Sequence, residues 1–512
     1  MYKSLLSVGL FTLLSRATGF FRDVMLARML GAGMLADAFV VAFRLPNHFR
    51  AIFGEGAFNA AFVPSYAKTL EQNGEAAAKR FSGDIHALLI ASQIVVLILA
   101  WAFTPQLVRL LAPGFSDEPA KFALTVSLTR ITFPYLMCVV LVTLHSGVLN
   151  ARRRFAAAAA APVLLNVAMI GALALAFLFP NAAYAAAWGV LIAGVLELAL
   201  LMVASAREGA FAPFVAPKIS AQVKRFFKVL VPAVIGSAGV QIAIFADTII
   251  GSLLPTGGPS SIYYADRIYQ LPVGVLGVAA GTVLLPEMSR RLAGGDEGGA
   301  HHAQNRTMAL TIALAAPFLV AFLTIADLIM AGVFAHGAFS KGDAAASAAV
   351  LAAYGFGLPA VLLIRSAVAS FQARGDTTTP MAISLIAVAL NVALKVLLWK
   401  DFGAPALAAA TAAGAWINVS LLYALALWRG WTDPDSLLAR VTLAATLAGM
   451  ALAAFAVFAR APLAGFGARF GHWASVADLL VLGLAGGALY AALLVAALKG
   501  LRVPLGVVKP RR

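Results

Sequence analysis

The chain has 512 residues, of which 62% are hydrophobic and only 12% are charged, and its mean hydropathy is +0.91. This composition excludes a soluble globular protein, and non-alternating apolar runs of roughly 18 or more residues exclude a membrane β-barrel. The formal net charge of +16 is explained by basic loops next to anionic lipid, so it requires no nucleic-acid partner.

Dividing the hydropathy at charged and Pro/Gly-rich breaks predicts about fourteen membrane-spanning helices. They lie near 4–30, 34–64, 81–108, 122–150, 157–180, 184–206, 226–253, 260–288, 307–333, 344–373, 378–399, 404–428, 437–459 and 473–498. Between the spans, Lys and Arg are about three times as numerous on one side, and the other side holds few, Lys121 among them. An even number of spans places both termini on the basic side, so we expect both in the cytoplasm.

The first predicted span carries Arg16, Arg22 and Asp23 in its middle third. Each Arg or Asp at the centre of a lipid-facing helix costs about 2.5–3.5 kcal/mol. We therefore expect these charges to face a polar cavity, carboxylates, or both. Arg16 and Asp23 share one helix face, while Arg22 lies about 120° from Arg16. The alternative is that they form ion pairs which only hold a helix bundle together.

Basic residues within the predicted spans are concentrated in the first, second and eighth. The full set is Arg16, Arg22, Arg44, Arg50, Arg130, Arg267, Arg365 and Lys395. The second span also carries Asp37, on the same face as Arg44, and Glu55, which lies between two glycines. Pro46 removes a backbone donor, so this span is expected to bend where a cavity can hydrate its backbone.

The seventh and eighth spans hold carboxylates at membrane depth. Asp247 has no basic residue within one helical turn in the sequence, which suggests a proton or cation site. Asp266 and Arg267 are adjacent in the eighth span, so we expect them to point about 100° apart. Asp376, in "FQARGDTTTP", is a possible companion of Asp247, and a cap ahead of Thr377 to Pro380 is the alternative.

A weak internal repeat relates residues 43–68 and 269–291, which both run Leu-Pro, a Gly/Ala/Phe/Val-rich stretch, hydrophobe-Pro and a basic end. Six spans separate the two copies, which predicts two pseudo-symmetric six-helix lobes around a central cavity plus two C-terminal helices. The predicted divisions are 1–217, 218–432, and 433–512 with its basic tail. Glycines in the last two spans permit a groove for a polyprenyl chain, and simple bundle packing is the alternative.

No motif typical of an enzyme is present in the sequence: it has no HExxH, no nucleophile elbow and no Walker loop. No cluster of cysteine or histidine suggests a metal site, and the single Cys138 permits no internal disulfide. We therefore expect no cofactor.

Several motifs are similar to those of the MurJ (MviN) family of bacterial lipid II flippases. They are "SRATGFFRD", "GAGMLADAFVVAFRLPNHFRAIFGEGAFNAAFVP", "APGF" at 112–115, "YYADRIYQLPVGVLGVAAGTVLLPEMSR" and "DTTTP" at 376–380. The likeness spans essentially the whole chain. The family belongs to the multidrug/oligosaccharidyl-lipid/polysaccharide exporter superfamily, and its two added helices match the predicted C-terminal pair.

The resemblance implies a transporter that moves undecaprenyl-pyrophosphate-linked disaccharide-pentapeptide from the inner to the outer leaflet of the bacterial cytoplasmic membrane. By matching motifs, the cavity residues would be Arg16, Arg22, Arg50, Arg267, Asp37, Glu55 and Asp266. The resemblance also implies coupling to a sodium or proton gradient or to the membrane potential, with Asp247, and with it Asp376, as candidates. Lipid II, membrane lipids and cell-wall synthesis proteins are the expected partners.

Two other functions are compatible with parts of this pattern. An exporter of drugs or of another lipid-linked oligosaccharide would share the fold, but a cationic drug would require an acidic cavity rather than an arginine-rich one. A membrane glycolipid transferase is the alternative from another class. A diphosphate suits arginine, which binds it bidentately and stays protonated in a cavity of low dielectric constant.

Overall fold

The computed structural model describes the backbone of residues 2–52 and 58–503. It also describes their side chains, except at 2–7, 45, 48–52, 235–243, 278–280, 282, 464–466 and 472. Every regular element in this part of the chain is a helix, as the sequence predicts. The chain forms two compact units, Met1–Ser260 and Ser261–Arg512.

The first unit contains nine of the described helices and the start of α10. They are α1 (Tyr2–Leu30), α2 (Met34–Ile52), α3 (Phe58–Ala102), α4 (Thr104–Leu111), α5 (Pro119–Thr132), α6 (Pro134–Ala151), α7 (Ala156–Ala174), α8 (Ala182–Arg207) and α9 (Ala221–Ser252). Short 3-10 turns follow α4 at Pro113–Asp117 and α7 at Ala176–Leu178.

The second unit continues from α10 (Gly258–Pro272), which a π-helical turn at Val273–Gly277 joins to α11. The helices that follow are α11 (Val278–Ala293), α12 (Glu297–Thr324), α13 (Ala326–Phe334), α14 (Lys341–Gln372), α15 (Thr378–Trp428), α16 (Ser436–Gly467) and α17 (Ala474–Gly500).

Nine helices of the described chain are long and apolar enough to cross a membrane. One of them, α15, covers two predicted spans, because Gly403 adopts a left-handed conformation (φ 62°) between two helical segments. The other predicted spans fall on α1, α2, α9 and the α10–α11 pair. At 29 residues, α1 is about 43 Å long, which exceeds the hydrocarbon thickness. The predicted all-α membrane fold is confirmed.

Small residues allow helices within each unit to approach closely. A Cβ atom added to Gly189 of α8 would lie 2.9 Å from the Ala172 Cβ of α7. A Cβ atom added to Gly357 of α14 would lie 2.7 Å from the Ala412 Cβ of α15. Because lipid is as apolar as leucine, helix association in a membrane depends on such close contact rather than on hydrophobic burial.

The first unit has an aromatic core where α9 packs against α3. Phe226 of α9 lies edge-on to Phe58 and Phe62, with ring centroids 5.5 and 6.2 Å away. The contacts of the described chain thus group α9 with the helices before it, although the sequence divides the lobes at residue 217. This packing fixes the first turns of α9 beside the end of the second predicted span.

Candidate functional site

Arg22 is held in one orientation inside the first unit. Its Nε and Nη2 donate to Asp23 Oδ1 at 3.0 and 2.7 Å, and its Nη1 donates to Asn166 Oδ1 at 3.0 Å. Arg22 and Asp23 are adjacent on α1, and the long arginine side chain folds back across the angle between them. Only 8% of Arg22 is exposed, so the predicted polar surroundings of this charge are supplied by Asp23 and Asn166.

Asn166 of α7 connects Arg22 to the preceding turns of α1. Its Nδ2 donates to the Ser15 carbonyl at 2.9 Å and to Thr18 Oγ1 at 3.1 Å. A Cβ atom added to Gly19 would lie 3.4 Å from this Nδ2, so the glycine of "RATGFF" gives Asn166 room between the two helices. Asn166 was not among the predicted site residues, although an amide in the apolar run "LLNVAM" is itself a signal.

Arg16 and Arg22 line one cavity of about 450 Å³ between α1, α6 and α7. Arg16 is exposed and forms no ion pair with any residue of the described chain. Glu197 of α8, which is buried, lines the same cavity. Glu197 was also missed, but the criterion that selected the arginines, a charge inside an apolar run, would have selected it.

Asp37 does not line this cavity. It is fully buried and forms an ion pair with Lys121 of α5, with Oδ2 3.0 Å from Nζ. Its two oxygens also accept hydrogen bonds from the backbone N–H groups of Gly257 and Ser260 at 2.8 and 2.9 Å. Asp37 therefore caps the beginning of α10 from another helix, whereas the resemblance placed it among the cavity residues.

Lys121 is as buried as Asp37, although the sequence places it among the loop lysines. Its Nζ lies 4.2 Å from the Phe115 ring centroid and donates to Thr256 Oγ1 at 3.0 Å. Glu118 Oε1 lies 3.4 Å from the same Nζ. This buried pair thus joins α2, α5 and the segment before α10.

The two remaining charges of the second predicted span cannot be placed in the site. Glu55 lies outside the described residues, and Arg50 lies on α2 but its side chain is not described. Arg44, on the same helix, donates from Nη1 to Thr248 Oγ1 of α9 at 3.3 Å. The binding roles predicted for Arg50 and Glu55 stay predictions.

In the second unit, Asp266 and Arg267 lie on α10. Arg267 Nη2 is 3.7 Å from Asp266 Oδ2, and its guanidinium carbon lies 4.7 Å from the Tyr263 ring centroid. The two side chains therefore meet, although the helical angle between neighbours predicts that they diverge. Asp266 also accepts a hydrogen bond from Gln270 at 3.2 Å. Both side chains remain partly exposed.

The irregular turn after α10 contacts a further arginine. A Cβ atom added to Gly277 would lie 3.2 Å from Arg365 Nε, and one added to Gly281 would lie 3.6 Å from Arg365 Cδ. Arg365, on α14, is exposed and was recognised only as an intramembrane basic residue. Side chains at either glycine would crowd it, so both glycines keep the space into which it extends.

The two candidate coupling carboxylates have different surroundings. Asp376 accepts hydrogen bonds from Thr379 N at 2.9 Å, Thr379 Oγ1 at 2.7 Å and Arg429 Nη1 at 2.9 Å. These bonds, those from Thr379 first, lower the pKa of the Asp376 carboxyl and fit the capping alternative. Asp247 lies half-buried on α9, next to Thr248, and its role in ion coupling stays a prediction.

The last helices of the second unit enclose apolar space. A cavity of about 330 Å³ lies between α12, α16 and α17, and Pro317, Phe455, Gly483 and Gly487 contribute to its wall. Cβ atoms added to Gly483 or Gly487 would meet no atom within 4 Å. A neighbouring cavity of about 280 Å³ lies between α12, α14 and α16.

Arginines that line a membrane cavity are the feature expected of a carrier of an anionic lipid, and comparison with known proteins agrees. A family model described as "Lipid II flippase MurJ" matches residues 26–468. The chain belongs to this family. The family resemblance recognised from the sequence motifs is confirmed.

Relatives in the MurJ family align over most of their length. The "Probable lipid II flippase MurJ" of Rhizobium meliloti (strain 1021) is 42% identical over 86% of this chain and 83% of its own. That of Rhizobium tropici is 39% identical over 94% and 92%. The "Lipid II flippase MurJ" of Burkholderia cenocepacia is 34% identical over 85% of each chain.

Solved structures show the same fold. "Lipid II flippase MurJ, inward closed conformation" superposes with a TM-score of 0.80 at 23% identity and covers 97% of this chain and 99% of its own. An inward-facing multidrug resistance MATE family transporter of the MOP superfamily gives a TM-score of 0.67 at 13% identity, over 81% and 94%. These likenesses show the fold alone.

We predict that Asp37→Asn lowers stability, because it leaves the Lys121 ammonium buried without its closest carboxylate. The loss should lie at the lower end of about 3–5 kcal/mol, since Glu118 remains near Lys121. The measurement is unfolding of the purified protein in detergent. Adding Lys121→Met should recover much of the loss, because it removes the uncompensated charge.

Wild-type stability of Asp37→Asn with complete loss of transport would contradict this account of Asp37. It would instead make Asp37 a residue that contacts the substrate.

Proposed function

We propose that this protein moves lipid II from the inner to the outer leaflet of the bacterial cytoplasmic membrane by alternating access. The observation that carries the proposal is the cavity of about 450 Å³ lined by Arg16 and Arg22, in a chain whose family is that of the lipid II flippases. The protein is then a transporter rather than an enzyme.

The chemistry of the cavity fits a diphosphate. Arginine offers a planar fork of N–H donors that matches phosphate oxygens, and it keeps its charge in a medium of low dielectric constant. Arg16 extends into the cavity without an ion pair in the described chain, at a depth where a lone charge is costly. An anionic headgroup supplies the missing opposite charge.

Arg22 and Arg16 have different roles in this proposal. Asp23 and Asn166 fix the plane of the Arg22 guanidinium before substrate arrives, so little side-chain entropy is lost on binding. Arg16 is not held in this way and adjusts to the bound headgroup. Arg267, Asp266 and Arg365 contribute further polar groups from the second unit.

We further propose that the polyprenyl tail occupies the apolar cavity between α12, α16 and α17. Its wall is almost entirely hydrocarbon, and the two glycines at Gly483 and Gly487 widen it. A prenyl chain gains about 0.8 kcal/mol for each CH₂ group that it buries, so even a short stretch of tail contributes to affinity.

The orientation of the chain is also proposed here: both termini lie in the cytoplasm. The basic side groups Arg80, Arg152 and Arg154 near one end of the first unit, where they pair with Asp84, Glu75 and Glu208. A dense set of Lys and Arg at membrane ends is typical of the cytoplasmic side.

Replacement of Arg22 tests the diphosphate site. We predict that Arg22→Lys loses transport almost as fully as Arg22→Ala, because lysine cannot contact Asp23, Asn166 and a phosphate with one planar group. Affinity for lipid II should fall about 30-fold or more. The readouts are lipid II binding and flipping by the purified protein in proteoliposomes.

Arg130→Lys is the matched control, since Arg130 is an intramembrane arginine that does not line the cavity. It should retain transport. If Arg22→Lys accumulates normally and flips lipid II at the wild-type rate, Arg22 is only part of a structural ion pair.

A larger side chain at Gly483 tests the tail site. We expect Gly483→Leu to fill the cavity, to raise the lipid II concentration needed for half-maximal transport by roughly 10-fold, and to leave folding intact. Gly171→Leu is the control, because a Cβ there also meets open space but lies on α7. Unchanged transport with raised stability would show that α16 and α17 serve only as packing.

Labelling of single cysteines in a Cys138→Ser background tests the orientation. Ser116→Cys, in the exposed segment between α4 and α5, should react with an impermeant maleimide added outside intact spheroplasts. Ala293→Cys, at the exposed end of α11, should react only after the membrane is opened. The opposite pattern would reverse the orientation proposed here.

A further inference from the structure

A second polar cavity, of about 360 Å³, lies at the end of the first unit where α3 and α9 begin to diverge. It is formed by the part of α3 before Gly74 and by the first turn of α9. Lys68 and Arg225 line it, together with the polar side chains of Gln72 and Gln222. No acidic residue of the described chain contributes to its wall.

The two basic side chains of this cavity differ from their neighbours. Lys79 and Arg152 both pair with Glu75, and Arg80 pairs with Asp84. Within the described chain, Lys68 and Arg225 form no ion pair and no hydrogen bond. Two positive charges thus face one cavity without a counter-charge, which favours an anionic occupant.

The beginning of α9 adds to this positive potential. Ser220 Oγ accepts from Val223 N at 3.3 Å and the Ser220 carbonyl accepts from Lys224 N at 3.0 Å. Ala221 and Gln222, which line the cavity, precede the first residue that an intrahelical carbonyl can serve. Their N–H groups and the helix dipole are therefore directed at the same space as the two side chains.

An exposed apolar surface begins directly beside these charges. Val229 lies one turn after Arg225 on the same face of α9 and is 47% exposed, and the exposed Pro64 forms part of the cavity wall. The cavity thus lies at the boundary between polar and apolar surface. An occupant that satisfies both sides has a phosphate and a hydrocarbon chain, whereas a soluble anion uses only the basic side.

We propose that this cavity binds the phosphate headgroup of an anionic phospholipid, with the acyl chains along Val229 and Pro64. With the orientation proposed above, the lipid belongs to the cytoplasmic leaflet, where anionic lipids attract basic residues. The site is separate from the Arg16–Arg22 cavity and does not depend on the transport of lipid II.

The test compares two double variants with the same change in net charge. Lys68→Gln/Arg225→Gln removes the charges that line the cavity, and Lys224→Gln/Lys228→Gln removes two exposed charges of α9 outside it. Short-chain phosphatidylglycerol, phosphatidylcholine of the same chain length and inorganic phosphate are titrated into the full-length protein in neutral detergent. Bound ligand is counted by native mass spectrometry.

We expect wild type to prefer phosphatidylglycerol to both other ligands. The Lys68→Gln/Arg225→Gln variant should lose roughly 30-fold in phosphatidylglycerol affinity, and the control variant less than about 3-fold. Both variants should melt as wild type does, because all four side chains are exposed. Arg22→Ala should bind phosphatidylglycerol normally, so a failure of the transport mechanism would not affect this result.

Three results would overturn the proposal. Equal losses in the two double variants would show that only net charge matters. Inorganic phosphate that binds as tightly as phosphatidylglycerol would make the cavity a site for a soluble anion. Unchanged affinity in Lys68→Gln/Arg225→Gln would place the lipid elsewhere.

Discussion

A charged guanidinium inside a membrane needs polar partners, and the arrangement of the first unit follows from supplying them to Arg22. A lipid-facing arginine costs about 2.5–3.5 kcal/mol, which Asp23 and Asn166 avoid by accepting hydrogen bonds from its Nε, Nη1 and Nη2 atoms. This requirement brings α7 against α1, and Gly19 provides the space for that approach. The same contacts leave the guanidinium at the wall of a cavity large enough to admit a headgroup.

The other buried charges show how differently the fold can use such groups. Asp37 and Lys121 neutralise each other in full burial, and the remaining capacity of Asp37 goes to backbone N–H groups at the beginning of α10. This pair has no contact with open space and serves structure. Arg16, by contrast, is exposed to a cavity and has no ion pair in the described chain, which is the condition for binding an anion.

Local pattern was sufficient to predict the helices, because runs of apolar residues and their charged breaks are contained in short stretches of sequence. It also selected Arg16 and Arg22, since charge inside such a run is itself unusual. It could not predict that Asn166, far along the chain, orients Arg22, or that Lys121 meets Asp37, because these pairings depend on how distant helices pack. Even the adjacent Asp266 and Arg267 were misjudged, since helical angles describe Cβ directions and not the reach of a long side chain.

The central claim is that the Arg16–Arg22 cavity recognises the diphosphate of the transported lipid. The most direct measurement is competition in proteoliposomes, in which flipping of labelled lipid II is followed while unlabelled lipids of equal tail length are added. The account predicts that undecaprenyl diphosphate inhibits strongly and that uncharged undecaprenol inhibits at least 30-fold more weakly, on the order of the loss of a buried charged contact. Equal inhibition by the two lipids would show that the tail alone is recognised and would contradict the account.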